Sequence, residues 1–362
     1  MIGILYSART LNRMINGKSF EKPAFYVEAA HKAGEEIVFF SVYDINWKRG
    51  TVWGWDGTKR VRLKKVLPQV IINRTRTNTF HYKNTICRLK QMGKTIFNEQ
   101  NVVSKLDIHN ILVKNPMLLP HLPATSSVTH HAVEQLFGEN TSLFLKPRTA
   151  SVGDGIIRIR KKDNNMIAEI NVLGRTLRKK VSIDQIIDIV RKKKRRYLVQ
   201  QGVSLMPYQG NPVDFRVSMQ KNGSGCWQYT GMVGKVAKKG AIVTNLHCGG
   251  TSMKASELFA HWGWDGAEIE RKVVELGLRI VQTLDKELSQ IADLGLDIAV
   301  DEQQHPWFIE ANFRDMRVTF RDAGEKETWQ SSYSAPVNYA AYLIGQLNER
   351  EDQHQQQLNG SG

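Results

Sequence analysis

The stretch LDIAVDEQQHPWFIEAN at residues 296–312 decides the fold class of this chain. Two apolar segments flank a polar run at residues 302–305, a pattern that predicts a β-hairpin. Glu310 and Asn312 are two residues apart and therefore project from the same face of one strand. Antiparallel pairing would bring Asp297 of the preceding strand beside that face. Two carboxylates and an amide oxygen on that face provide hard-oxygen ligands for an Mg²⁺ ion that is also coordinated by nucleotide phosphates. The alternative is that this polar face of the hairpin is simply exposed to water.

A glycine-containing loop precedes this hairpin in the chain. The segment KPRTASVGDG at residues 146–155 follows a strand-like run, and alternation resumes after Gly155. Because glycine adds no Cβ, backbone N–H groups of such a loop can approach phosphate oxygens closely. Lys146 on the leading strand favours that interpretation. The loop is neither a Walker A motif nor a dinucleotide fingerprint, so an ordinary hairpin stays an alternative.

A third motif lies between the loop and the hairpin. In the run DFRVSM at residues 214–219, strand alternation places Asp214 and Arg216 on one side. An arginine there is suited to clamp a phosphate bidentately, whereas a surface salt bridge is the simpler alternative. The run TGMVGK at residues 230–235 and the run TNLHCGG at residues 244–250 follow.

Residues 1–102 predict a small α/β domain. A core strand opens the chain, a helix over residues 24–33 ends at a glycine, and an Asp-Gly pair predicts a hairpin turn. A further strand at residues 66–72 delivers Arg74 and Arg76 to its C-terminal end, where open α/β sheets bind ligands. We expect these arginines to form part of a pocket for an acidic substrate.

The composition is strongly basic, with 51 lysines and arginines against 35 acidic residues and a net charge of +16. Such a field attracts nucleic acids, polyphosphates and acidic metabolites. The densest run, RKKKRR at residues 191–196, follows an amphipathic helix at residues 182–190. It is either a solvated helix end or a nucleic-acid patch, although it lacks the aromatic residues that stack on bases. No apolar stretch is long enough to predict a membrane span, and three widely spaced cysteines fit a cytoplasmic protein.

Together and in this order, these motifs resemble the ATP-grasp superfamily, specifically the spore-coat-associated YheC/YheD-type proteins, over about residues 100–345. The resemblance implies an α/β (α+β) protein with an ATP-grasp fold. Two α+β subdomains, at residues 103–199 and 200–349, would grip ATP. A small Rossmann-like pre-ATP-grasp domain at residues 1–102 would precede them, and a disordered tail at residues 350–362 would follow.

The resemblance also implies roles for individual residues. ATP contacts are expected from Lys105 and Lys146, a phosphate-covering loop from Ser151, Gly153 and Gly155, and an adenine-binding hinge from Gln200 and Gln201. Catalytic roles are expected from Asn245 and from Arg216 and Lys235, the last two as phosphate-facing cations, and metal ligands from Asp297, Glu310 and Asn312. After Asn312, relatives commonly continue with a Pro-Gly turn, but this chain reads FRDMR at residues 313–317. Arg314 and Arg317 in that segment either pair with a carboxylate-bearing substrate or make surface ion pairs.

The implied function is an ATP-dependent ligase that joins a small-molecule carboxylate to an amine, such as an amino acid or peptide, through an acyl phosphate. ATP and two Mg²⁺ ions are the expected cofactors. Two alternatives remain at this point. One is a non-catalytic spore-coat-associated structural protein that keeps the fold, and the other is a basic nucleic-acid-binding protein.

Overall fold

The computed structural model describes residues 1–76, 79–100, 102–149, 154–162, 165–172, 175–246 and 249–359. These residues form three β-sheets with helices packed on them. Within the described residues, we find no helix with the length and apolar character needed to cross a membrane.

The first sheet is built from the N-terminal part of the chain. Its elements are β1 (Ile2–Leu5), α1 (Ala8–Ile15), α2 (Pro23–Lys32), β2 (Ile37–Phe40), β3 (Ile45–Asn46), β4 (Thr51–Trp55), β5 (Arg62–Val66), β6 (Val70–Asn73), α3 (Phe80–Gln91) and β7 (Thr95–Phe97). The strands lie in the order β3-β4-β2-β1-β6-β7, with β5 paired to β4. The central strands run parallel and are buried on both faces, which explains why they read as continuous apolar runs.

Two predictions for this sheet have different outcomes. The Asp56-Gly57 turn does connect antiparallel strands β4 and β5, and Gly57 has a φ of 88°. A Cβ at Gly57 would also lie 2.6 Å from Val27 Cγ2, so glycine is required there. The single strand predicted over residues 66–72 is wrong, because the chain leaves β5 at Val66 and starts β6 at Val70, with Pro68 between them.

The second sheet has six strands. Its elements are β8 (Thr125–Ser127), α5 (His130–Glu139), β9 (Ser142–Pro147), β10 (Ile157–Lys162), β11 (Asn165–Val172), β12 (Arg175–Lys180), α6 (Ile183–Arg191) and β13 (Tyr197–Gln201). The order is β12-β11-β10-β9-β13-β8, and each neighbouring pair is antiparallel. Helices α5 and α6 share an apolar core with one face of this sheet. Helix α6 corresponds to the amphipathic helix predicted over residues 182–190, and Ser182 and Gln185 form a capping box at its start.

The third sheet also has six strands. Its elements are β14 (Pro207–Tyr208), β15 (Asn211–Lys221), β16 (Trp227–Val236), β17 (Thr251–Lys254), α7 (Ala255–Trp262), α8 (Gly266–Glu287), β18 (Asp293–Val300) and β19 (Pro306–Asn312). The order is β17-β16-β15-β18-β19, with β14 paired to β15. Helix α8 packs on one face through its buried apolar stripe, and α4 (Lys105–Leu112) joins the same core.

The last two helices connect the first and third sheets. Helix α9 (Val318–Asp322) is short, and α10 (Lys326–Asn359) packs against α2, β6 and β15. Tyr333 and Val337 of α10 belong to the core of the first sheet. Residues 350–359, for which the sequence predicts disorder, are helical, and the side chains of residues 350–357 are exposed. Glutamine, glutamate and arginine favour helix, so this segment extends α10 without contributing to a core.

Candidate functional site

A cleft of about 750 Å³ lies between the second and third sheets. Most of the residues with predicted roles line it: Lys105, Lys146, Gln200, Gln201, Arg216, Lys235, Asn245, Asp297, Glu310 and Asn312. Ser151 and Gly153 lie outside the described residues. Gly155 is not among the residues that line the cleft, and its carbonyl accepts a hydrogen bond from the Tyr197 hydroxyl at 3.0 Å.

The acidic groups of the cleft come from the β18–β19 hairpin. Asp297 is the register partner of Glu310, and Asn312 is opposite Gly295. The Asn312 Nδ2 atom is 3.4 Å from Asp297 Oδ2. The hairpin therefore presents two carboxylates and an amide together, in the arrangement that strand alternation predicts.

Two cations from neighbouring strands hold Asp297. Arg216 donates from Nε to Asp297 Oδ1 at 2.8 Å, and Lys235 Nζ lies 3.0 Å from Asp297 Oδ2 and 2.9 Å from Asp214 Oδ1. Burial alone would raise the pKa of Asp297, but Arg216 and Lys235 lower it well below its usual range. Asp297 is therefore ionised at any physiological pH.

The same carboxylates keep these cations charged. Burial opposes the protonated form of Arg216 and Lys235, yet the adjacent carboxylates raise both pKa values above their usual range. Asp214 differs, because burial and the charge of Asp297 raise its pKa despite the contact with Lys235. The cleft thus has fixed positive charges directly beside its carboxylates.

Lys146 occupies the opposite wall, on β9. Its Nζ donates to Gln200 Oε1 at 2.6 Å and lies 5.5 Å from the centre of the Phe144 ring. Burial lowers the pKa of Lys146 to about 8, and the charge of Lys105 adds to that effect while Glu310 opposes it. Lys105 itself forms an ion pair with Glu310 at 2.7 Å. Lys146 therefore has a neutral hydrogen-bond partner and an incompletely compensated charge.

The two glutamines of β13 are held by the neighbouring strand. Gln200 donates from Nε2 to Thr125 Oγ1 at 2.9 Å, and Gln201 Oε1 accepts from the Ala124 amide at 3.1 Å. Apolar side chains line the cleft nearby, including Leu205 and Ile242. This wall combines fixed polar groups with apolar surface, as a site for a planar base requires.

The family model described as YheC/D like ATP-grasp matches residues 93–343, well over half of the chain. The chain belongs to this ATP-grasp family. The endospore coat-associated protein YheD of Bacillus subtilis (strain 168) is 27% identical over 331 residues, covering 86% of this chain and 71% of YheD.

Solved structures show the same ATP-grasp fold. D-cycloserine synthetase DcsG matches with a TM-score of 0.56 at 9% identity, covering 93% of this chain and all of DcsG. The D-alanine–D-alanine ligase from Coxiella burnetii matches with a TM-score of 0.52 at 9% identity, covering 97% of this chain and 98% of that chain. The predicted family and ATP-grasp fold are confirmed, whereas the individual residue roles and domain boundaries stay predictions.

Two arginines of this ATP-grasp protein are not where the sequence analysis expects them. Arg74 is only 1% exposed and donates to Asp293, to the Asp315 carbonyl and to Glu21, so it does not line the cleft. Arg317 is completely buried and pairs with Asp293 at 2.5 Å. Both belong to an ion-pair network between the first and third sheets. The expectation of substrate contacts is wrong for Arg74, and that of a substrate or surface ion pair is wrong for Arg317.

A residue without a predicted role holds the Arg216 side chain in position. Asp315 is completely buried, accepts from Arg216 Nη1 at 2.9 Å and accepts a second hydrogen bond from the Ser218 hydroxyl. Gly295 makes room for this contact, because a Cβ there would lie 2.8 Å from Asp315 Oδ1. The only signal in the sequence was an aspartate where ATP-grasp relatives have a Pro-Gly turn.

Proposed function

We propose that this protein is an ATP-dependent carboxylate–amine ligase that acts through an acyl phosphate, on an amino acid or peptide in the cytoplasm. The observation that carries the proposal is the joint placement of Asp297, Glu310 and Asn312 opposite Lys146 in one cleft. Two solved proteins with this fold are named a ligase and a synthetase, and the cleft residues are the reason to extend that class to this chain.

The acidic hairpin fits Mg²⁺ by the chemistry of its donors. Asp297 and Glu310 provide hard carboxylate oxygens and Asn312 an amide oxygen, a set that leaves coordination positions for phosphates and water. Elsewhere in the part of the chain that the structure describes, no group of three or more His, Cys, Asp or Glu side chains is arranged to bind a metal ion. Mg²⁺ held by these three residues, as one or two ions, would neutralise charge on the β- and γ-phosphates.

The cations of the cleft would stabilise the transferring phosphoryl group. Lys146 has a neutral partner, so its charge is available to a phosphate, and Arg216 and Lys235 are fixed in position by their carboxylates. A carboxylate oxygen of the acid substrate would attack the γ-phosphorus, and the bond to the β–γ bridging oxygen would break to release ADP. The amine nitrogen would then attack the acyl carbon, lose a proton and displace inorganic phosphate. This sequence uses no covalent nucleophile from the protein.

The test is Mg²⁺-dependent release of ADP across pools of amino acids and small carboxylic acids. Glu310→Ala should reduce acid-stimulated release about 100-fold or more, because it removes a charged group from the reacting centre. Glu302→Ala is the matched control, since Glu302 is exposed in the turn of the same hairpin and should leave the rate unchanged. Equal rates in the two variants would contradict the assignment of Glu310.

A non-catalytic role in the spore coat is the second candidate, and the name of YheD is the observation that favours it. Calorimetric titration with MgATP separates the two. A ligase binds MgATP whether or not its acid is present, whereas a protein that has only kept the fold has no need to bind it. Absence of binding in wild type would favour the structural role.

A further inference from the structure

One end of the cleft carries an arginine without a counter-ion. Arg76 lines the cleft, and within the described part of the chain it has neither an ion pair nor a hydrogen-bond acceptor for its side chain. The Arg76 side chain keeps contact with solvent; its partial burial lowers its pKa, and the positive charge of Arg314 lowers it further, while Glu310 opposes the effect. Arg314 lines the same cleft, so two like charges share it.

The other cationic side chains of the cleft differ from Arg76 in their partners. Their carboxylate contacts are Lys105–Glu310, Arg158–Glu169, Arg216–Asp297, Lys235–Asp214 and Arg314–Glu21. Lys146, which pairs with an amide, is the other exception within the described residues. An ATP phosphate is the expected partner of Lys146, so Arg76 is left without one.

The positive charge of Arg314 is only partly compensated by a carboxylate. Its Nη2 atom is 3.3 Å from Glu21 Oε1, but the same oxygen is also 3.3 Å from Arg74 Nη2. The Nε–H of Arg314 is buried and has no hydrogen-bond partner. The hydroxyl of Thr319, a residue that lines the cleft and is 3% exposed, is likewise unpartnered. A buried donor without an acceptor is costly, so an anion that binds at either group would be stabilised there.

The position of this group is set by the metal hairpin. Arg314 follows Asn312 by two residues, directly after the end of β19. Arg76 is close enough to Glu310 to respond to its charge. The arginines therefore lie beside the predicted metal ligands, on the side where the N-terminal sheet meets the cleft, and not on the wall formed by Lys146 and Gln200.

We propose that Arg76, Arg314 and Thr319 form a subsite for a second carboxylate of the acid substrate, so that the substrate is a dicarboxylic acid or an acidic amino acid. One carboxylate would lie at Glu310 and Asn312, where phosphoryl transfer takes place. The other would bridge the two guanidinium groups and accept from Thr319, which satisfies the orphaned donors and removes the repulsion between the arginines. This inference rests on the proposed ligase function, and it deepens that function by naming the class of acid.

The experiment pairs each dicarboxylate with a matched analogue in which the second carboxylate is absent or replaced by a neutral group; this is called the neutral analogue below. ADP release and calorimetric binding, both with saturating Mg²⁺ nucleotide, are measured for glutamate against glutamine, aspartate against asparagine, and glutarate against valerate. A non-hydrolysable ATP analogue is used for the binding measurement. We expect at least one dicarboxylate to bind, and its neutral partner to bind about 10- to 100-fold more weakly, because a charge-assisted bidentate contact is lost.

Arg76→Gln is the main variant, since Arg76 is exposed and has no ion pair to lose on substitution. It should weaken the dicarboxylate about tenfold or more and leave the affinity for the ATP analogue unchanged. Arg314→Gln should act in the same direction, and Arg49→Gln, at an exposed arginine of the same sheet that does not line the cleft, should have no effect. Arg76→Lys should recover only part of the affinity, because lysine lacks the bidentate fork.

The two readouts separate this inference from the ligase function. Dicarboxylate binding that depends on Arg76, without ADP release, would support the subsite while contradicting the ligase. ADP release driven equally by dicarboxylates and their neutral analogues, with no change in the KM of the acid in Arg76→Gln, would overturn the subsite while leaving the ligase intact. Absence of dicarboxylate binding to wild type would overturn the subsite as well.

Discussion

Replacing Lys146 by arginine gives the sharpest test of the ATP site. The pKa of Lys146 is about 8, so at pH 8 about half of the molecules carry a neutral Lys146 when no nucleotide is bound. A phosphate beside its Nζ favours the charged form and returns the pKa towards the ordinary value for lysine. Binding of MgATP should therefore take up about 0.5 proton at pH 8 and about 0.9 proton at pH 9, but only about 0.1 proton at pH 7.

Titration calorimetry measures this uptake directly. MgATP is titrated into the protein at each pH in two buffers that differ in ionisation enthalpy, and the difference in observed heat gives the number of protons. Above pH 8 the nucleotide is fully ionised and contributes no protons of its own. The affinity of wild type should fall as the pH rises through 8, because each additional neutral Lys146 must be protonated before it pairs with phosphate.

Lys146→Arg is the control because arginine keeps the cation but does not titrate in this range. The variant should bind MgATP with no proton uptake assigned to this position and with an affinity that changes less between pH 7 and pH 9. The reasoning is refuted if wild type takes up no protons at pH 9, or if wild type and Lys146→Arg take up the same number.

Three further outcomes follow from the charges of the interior. The pKa of Lys146 is lower in the folded protein than the 10.5 of a free lysine, so the unfolded chain binds more protons between about pH 8 and 10. In urea titrations, the free energy of unfolding of wild type, relative to that of Lys146→Arg, should therefore rise as the pH increases over that window. Arg317→Met should lower the free energy of unfolding by about 3 kcal/mol, because it leaves the buried carboxylate of Asp293 with one cation fewer. The control Arg321→Met, at an exposed arginine, should change the free energy of unfolding by less than about 0.5 kcal/mol in the same assay. Mg²⁺ alone should bind weakly because Asp297 is already paired with cations, and calorimetry should show tighter Mg²⁺ binding once ATP is present; equal affinities with and without ATP would contradict this expectation.

Local sequence patterns predict the elements that build the site. The hairpin at residues 296–312 follows from strand alternation on either side of a polar turn, and the structure pairs Asp297 with Glu310. The amphipathic helix predicted over residues 182–190 is found as α6, whose start is fixed by a capping box at Ser182 and Gln185. These signals work because the interactions that set them lie within a few residues of each other.

Long-range partners are what the sequence cannot provide. No strand was predicted where β11 and β12 lie. Glu169 of β11 is buried and pairs with Arg158 and Arg178 from the strands on either side. The sequence also gives Arg74 and Arg76 the same expected role. Only the packing of the first sheet on the third shows that Arg74 is buried and Arg76 is not.

The buried network explains why the first sheet contributes to the site although it provides no predicted ATP ligand. Glu21 accepts from Arg74 in the interior and from Arg314 in the cleft through the same carboxylate oxygen. Burial would raise the pKa of Glu21, but Arg74, Arg314 and Arg317 lower it, so this carboxylate stays ionised and holds Arg314 in place. Arg76 follows Arg74 by two residues, and its backbone position is therefore fixed by the same contacts. The network therefore holds the Arg314 guanidinium at the cleft before any substrate arrives, which reduces the ordering cost of binding an anion there.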